Sequence, residues 1–146
     1  MKHLRFIVFA LCAWAGLHAQ IGPGNTPVRR FRLPSFNQEG FRTALLEGEE
    51  ADAVSPTEIH LKEMRFSLFA GDETNALDST LLAPRATVRI PEQNHYLVEG
   101  PGPVRLIRND LDVSGENWLY DHNARKLWIR KDAQVIFRSE LKDLLK

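Results

Sequence analysis

The stretch Gly115-Glu-Asn-Trp118-Leu-Tyr120-Asp-His-Asn-Ala-Arg-Lys-Leu127-Trp-Ile129-Arg-Lys-Asp-Ala-Gln-Val135-Ile-Phe137 decides the fold. It holds three apolar alternations: Trp118/Tyr120, Leu127/Ile129 and Val135/Phe137. A polar turn from Asp121 to Lys126 separates the first two, and a tighter Arg130-Lys131-Asp132 turn separates the second from the third. Alternation at period two, broken by Asp, Asn and Lys clusters, is the pattern of half-buried antiparallel strands. Three such strands in immediate succession predict a meander.

The same grammar runs upstream. Ala86, Val88 and Ile90 are in phase, a turn follows at 91–94, then Tyr96/Val98, the breaker Gly100-Pro-Gly-Pro103, and Val104/Leu106. Val98 to Val104 and Ile129 to Val135 are the same distance apart. Ala51/Ala53, Ile59/Leu61 and Met64/Phe66 can be laid on the same frame, giving a repeat of about thirty residues. A three-strand unit of this kind cannot bury its apolar face alone and must stack on or face another. The expected fold is all-β: a twisted antiparallel jelly roll or open sandwich built from repeated short meanders.

Local signals fill in the remainder. Gly40 to Gly48 reads as a short strand, and Ala51/Ala53 as a weaker one stopped by Ser55-Pro56. Ile59 and Leu61 have opposite parity to Met64, Phe66 and Leu68, which requires a bulge or bend near Lys62–Glu63. Ala70 to Ser79 reads as a loop, and Leu111/Val113 close the stretch before Gly115. Ser139 is placed to cap a short C-terminal helix carrying Leu141, Leu144 and Leu145. The resulting division is a signal peptide or anchor over 1–19, a Gly/Pro-rich linker over 20–35, the β domain over 36–138 and the helix over 139–146.

Lys2, His3 and Arg5 precede an uncharged run from Phe6 to Leu17, with small residues after it: the layout of a secretory signal. The run is short of the roughly 20 residues that span a bilayer as a helix; a retained inner-membrane anchor is the alternative to cleavage. Cys12 is the only cysteine and follows Leu11, not the small residue that lipidation prefers. The mature chain is then expected in the periplasm without a disulfide, its core supplying the stability. Lys plus Arg and Asp plus Glu both number 19. Removing residues 1–19 takes away Lys2 and Arg5 and no acid, leaving 17 basic residues against 19 acidic ones. This balance gives no electrostatic argument for nucleic acid.

Catalytic signals are weak. His60, His95 and His122 are not spaced as metal ligands, and Asp110, Asp112, Glu116 and Asp121 do not follow an EF-hand spacing. No nucleophile elbow, P-loop or dinucleotide fingerprint is present; a carboxylate pair assembled in space stays open. No enzyme activity, metal or cofactor is expected. The aromatics carry more information. Trp118 and Tyr120 share a face, with Phe137 predicted on a neighbour's inner face, either as an ordinary core or as a wall for acyl chains. Trp128 points the other way and is expected outward. Arg29, Arg30 and Arg32 form either a solvated strand face or a basic collar toward an anionic surface. Gly40–Leu46, around Leu45, and Ala133–Phe137, around Val135, are the candidate edges for strand addition.

Several motifs together resemble the LptA/LptC (OstA-like) family of periplasmic lipopolysaccharide-transport proteins. They are Gly48-Glu-Glu-Ala51, Ile59-His-Leu61 running into Met64-Arg-Phe66, Leu82-Ala-Pro-Arg-Ala86, and Gly100 before Val104-Arg-Leu106. To these are added Gly115-Glu-Asn-Trp-Leu-Tyr120-Asp121, Lys126-Leu-Trp-Ile129 and Val135-Ile-Phe137. The resemblance covers roughly residues 40–138 and rests on spacing. It implies a jelly roll whose apolar interior accepts the acyl chains of lipopolysaccharide or a related lipid. Leu61, Phe66, Val88, Val98, Leu106, Trp118, Tyr120, Ile129 and Phe137 would form that interior. It also implies other jelly-roll transport proteins as partners, joined by edge-strand pairing through Leu45 and Val135. The competing expectation is a secreted β-sandwich scaffold or carbohydrate-binding module with no transport role.

Overall fold

A computed structural model describes residues 26–138. These contain seven strands: β1 (Val28–Phe36), β2 (Arg42–Ser55), β3 (Glu58–Phe69), β4 (Leu77–Glu92), β5 (His95–Arg108), β6 (Leu111–Asp121) and β7 (Lys126–Phe137). All pair antiparallel with their sequence neighbours in one sheet of order β1-β2-β3-β4-β5-β6-β7. The sheet does not close, so β1 and β7 are its edges. The expected segment 1–19 and the C-terminal helix over 139–146 lie outside the described residues. Residues 28–35, assigned above to the linker, form most of β1.

The strands are long, and each is interrupted near its middle. Between β1 and β2, pairing breaks at Arg30 opposite Glu49; between β2 and β3, at Gly48–Glu49 opposite Glu63–Met64; between β3 and β4, at Glu63 opposite Pro84. Farther along, Pro101–Gly102 lie opposite Asn117, and Gly115 lies opposite Asp132–Ala133. Arg30, Glu63, Asn117 and Asp132, each at one of these breaks, all have positive φ, a left-handed conformation outside the β region. Pro84 has no N–H to contribute, which suits a position where the ladder is already broken. A single seam therefore crosses the whole sheet.

Across this seam the buried side of a strand changes parity. In β3 the buried residues are Leu61, then Met64 and Phe66; in β4 they are Leu81 and Ala83, then Ala86 and Val88. Of the bulge or bend expected near Lys62–Glu63, the structure has a bend: pairing breaks at Glu63, whose φ is 51°, and the register is the same on both sides of it. The interruptions at 100–103 and 130–132 belong to the same seam. They are kinks inside β5 and β7, not turns between separate strands, and this corrects the three-strand meander. Val135–Phe137 does not continue a meander; it runs back along Leu111–Val113 of β6. The repeating unit is one hairpin of two bent strands.

The bends fold the sheet over its own apolar face. Tyr120 on β6 lies level with Val98, Val88 and, on β3, Ile59. Phe66 is a further half-strand along β3, so in a flat sheet it would lie roughly 27 Å from Tyr120 at ~3.3 Å per residue and ~4.8 Å per strand. The two ring centroids are 5.9 Å apart. The half-sheets on either side of the seam thus face one another, and one core forms between them. Its largest fully buried side chains are Trp118, Met64 and Leu81.

Candidate functional site: the folded interior and the sheet edges

β6 is the strand that furnishes the interior. Trp118 and Tyr120 alternate onto its inner face, and His122, two residues on, continues the same ladder at the turn into β7. Trp118 is paired with Gly100 on one side and Ile129 on the other. A Cβ at Gly100 would come within 2.9 Å of the Arg85 carbonyl oxygen and 3.1 Å of Trp118 Nε1, so the bare glycine makes room for the indole. Phe66 meets both Tyr120 and His122 edge-on, at 5.9 and 5.4 Å between centroids. Tyr96 meets His122 from the rim of the interior.

Of the residues expected to line an acyl-chain interior, Leu61, Phe66, Val88, Val98, Trp118 and Tyr120 are brought together in the core. Leu106 and Ile129 pack against it half-buried. Phe137 is a correction: it is 63% exposed, as every residue of β7 beyond Arg130 is solvent-exposed. Met64 and Leu81 are absent from the residues expected to line the interior, although the parity of Met64 is legible in the sequence; both are fully buried. Sequence reasoning also passed over His122, although its phase with Trp118 and Tyr120 was visible.

Three polar atoms in this interior have no hydrogen-bond partner among the described residues: Trp118 Nε1, Tyr120 Oη and His122 Nδ1. Burial pushes the Tyr120 phenol up to about 12. Burial, aided by the Arg125 charge, pushes the His122 imidazole below its ordinary value, so the ring is neutral at pH 7. Among the described residues no three of His, Cys, Asp and Glu converge as metal ligands do.

A concavity of about 850 Å³ follows the seam across β1 to β6. Arg30 and Arg32 of the expected basic collar line it, joined by Arg65 and Arg105 from β3 and β5. Glu47, Glu49 and Glu63 interleave with them, and Arg32 is bound to Glu47 at 2.8 Å. The groove is of mixed charge, not a uniformly basic surface.

The edges differ from expectation on one side. Leu45 is not on an edge: it lies in β2, paired to Pro34 of β1 and Ser67 of β3, and it is buried. The real N-terminal edge is β1, which leaves Val28, Leu33 and Phe36 exposed. Val135 does lie on an edge strand, β7, exposed with Ile136 and Phe137. The end of β7 is fastened by Asp112, which accepts hydrogen bonds from Arg105 Nε at 3.0 Å and Arg138 at 3.1 Å. The hydrogen bond from Arg105 holds the Asp112 carboxyl below the usual range, with Arg138 assisting. Trp128 is exposed, as alternation predicts.

No family model matches the chain, and no curated protein matches it in sequence.

Proposed function

We propose that the chain is an envelope protein of the lipopolysaccharide-transport type, exported to the periplasm. Its folded sheet would serve as a jelly-roll carrier, binding and not catalysing. Acyl chains would lodge between the half-sheets, and like domains would join it by strand addition. One observation carries the reading: a single open antiparallel sheet, folded over an apolar face, has no further strand at either edge among the described residues.

Each part of that arrangement has a physical use. An acyl chain gains about 0.8 kcal/mol per buried methylene, so a dozen carbons offset the cost of association. The half-sheets are joined only along the seam and by side chains, so they can part there to admit a chain. Edge strands with exposed apolar side chains are templates for pairing with another sheet. β7 presents Val135, Ile136 and Phe137 in one run. The resemblance noted in the sequence adds the lipid class and the periplasmic setting.

A second reading, an envelope scaffold or carbohydrate-binding module, is favoured by the closure of the core around Trp118, Met64 and Leu81. The two separate in one experiment. Native mass spectrometry of protein isolated from the periplasm should detect co-purified lipid A, and a photo-reactive residue at the half-buried Leu106 should crosslink to lipid. Lipid-free protein that also gives no crosslink would leave the scaffold reading.

A further inference from the structure

We infer that Trp118, Tyr120 and His122 form a polar subsite inside the apolar interior, one that takes a hydroxyl or ester oxygen carried on a long-chain amphiphile. The inference rests on the lipid-carrier reading and names the chemistry that the same interior selects.

All three residues stand on one face of one strand end, at positions two apart. Trp118 is 1% and Tyr120 4% exposed, so neither polar atom reaches bulk water. Their neighbours across the ladder, Gly100, Val98, Ile129 and Leu127, offer no side-chain partner. Against Tyr120 and His122 stands Phe66, whose side chain carries no nitrogen or oxygen to pair with them. A buried polar group is nearly always hydrogen-bonded, and each exception calls for an explanation. Here three exceptions fall together, in the interior proposed to hold ligand. Apolar walls with a few placed polar groups are how proteins orient an amphiphile.

The donor set narrows the ligand. Trp118 Nε1 only donates, so it requires an acceptor oxygen. The Tyr120 hydroxyl donates or accepts, and the neutral His122 ring supplies one donor and one acceptor. An alcohol or ester oxygen satisfies this set without bringing a charge into an apolar interior, whereas a carboxylate would be desolvated with no cation inside to meet it. Tyr120 is the middle residue of the ladder, and its ring centroid lies 6.2 Å from that of His122.

The test compares monomyristin, which carries ester and hydroxyl oxygens, with tetradecane, an alkane of similar length. Both are titrated into the mature protein and into its Tyr120→Phe variant. Tyr120→Phe keeps the ring and removes a buried unpaired group, so it should fold at least as well as the parent. The expected result is that the variant binds monomyristin about tenfold more weakly, the loss of one hydrogen bond, with tetradecane unchanged. In the parent protein the indole N–H resonance of Trp118 should move downfield with monomyristin and stay in place with tetradecane. Equal affinities in parent and variant with an unmoved indole signal would overturn the polar subsite while leaving the carrier reading standing. Failure of both probes to bind the parent would overturn the carrier reading and the subsite with it.

Discussion

Gly115 is the point where the seam can be tested most directly. It sits on β6 opposite the bulge at Asp132–Ala133, and its φ is not positive, so the backbone alone does not demand glycine. Space does. A Cβ there collides with Cγ2 of Ile129 and lies 2.9 Å from the carbonyl oxygen of Lys131. Overpacking of this sort costs about 1–3 kcal/mol, and a backbone atom that cannot rotate away puts the cost at the upper end. Alanine recovers about 0.4–1 kcal/mol by restricting the unfolded chain. Gly115→Ala should therefore lower unfolding stability by about 2 kcal/mol in urea titration. Gly102→Ala, with nothing within 4 Å of its Cβ, is the control and should be near neutral. Ile129→Leu deletes Cγ2 and by itself should cost under about 1.5 kcal/mol. In that background Gly115→Ala should cost only about 1 kcal/mol, a coupling of about 1 kcal/mol between the two sites. If Gly115→Ala matches Gly102→Ala, or the double variant is simply additive, the close approach of β6 and β7 at the seam is wrong.

The buried ring of Tyr120 predicts alkaline sensitivity. Its phenol ionises near 10 when unfolded and at about 12 when folded, so the contribution is complete below pH 10 and is lost as pH rises from 10 to 12. At 1.36 kcal/mol per unit the loss is at most about 2–3 kcal/mol. Denaturation at pH 9 and 11.5 should show that fall in the parent and not in Tyr120→Phe; parallel falls would refute it. His122 has the opposite dependence. Its folded value is depressed, so stability is complete above its ordinary value of 6.5 and declines as pH falls through it toward the folded value. Unfolding at pH 7.5 and 5 should reveal a larger acid loss in the parent than in His122→Phe, and an equal loss would exclude the burial of the ring. For the β7 edge, alternate N–H groups point outward, so of Val135→Pro and Ile136→Pro one strips a bond to β6 and the other blocks outward pairing. The second should abolish any complex with a like domain in size-exclusion or crosslinking assays while circular dichroism stays unchanged. Complexes surviving in both folded variants would place docking on β1.

What was readable in the sequence was the period. Alternation at Trp118/Tyr120, Val98 and Leu61 placed these side chains on the inner face, and the parity reversal at Met64 located the bend at Glu63 to within a residue. Helix patterning was absent along 28–137, and none forms there. Strand count was not readable, for a definite physical reason. A polar or Gly/Pro interruption between two apolar alternations has the same signature whether the chain reverses there or only kinks. Gly100-Pro-Gly-Pro103 and Arg130-Lys131-Asp132 have turn composition, yet both are crossed by one continuing strand.

The distinction lies in what the neighbouring strand does, and a linear reading holds that information only jointly. If the interruption at 130–132 were a turn, Val135 would have to pair with Leu127. With the chain continuing straight on, it pairs with Val113, and the bulge must be matched by a compact residue on β6. Gly115 is that residue. Gly48 is opposite Met64, next to the break at Glu63, and Gly100 stands one position before Pro101–Gly102, so three glycines of unexceptional φ cluster on one line. Their crowding comes from packing: Phe31 lies over Gly48, Trp118 over Gly100 and Ile129 over Gly115. Each is a large apolar side chain drawn close to the backbone where the sheet bends. The same bend that makes the glycines necessary carries Phe66 to Tyr120, so the seam and the interior are one feature. A residue that straightens the seam should therefore open the aromatic cluster at a distance, before it unpairs any strand.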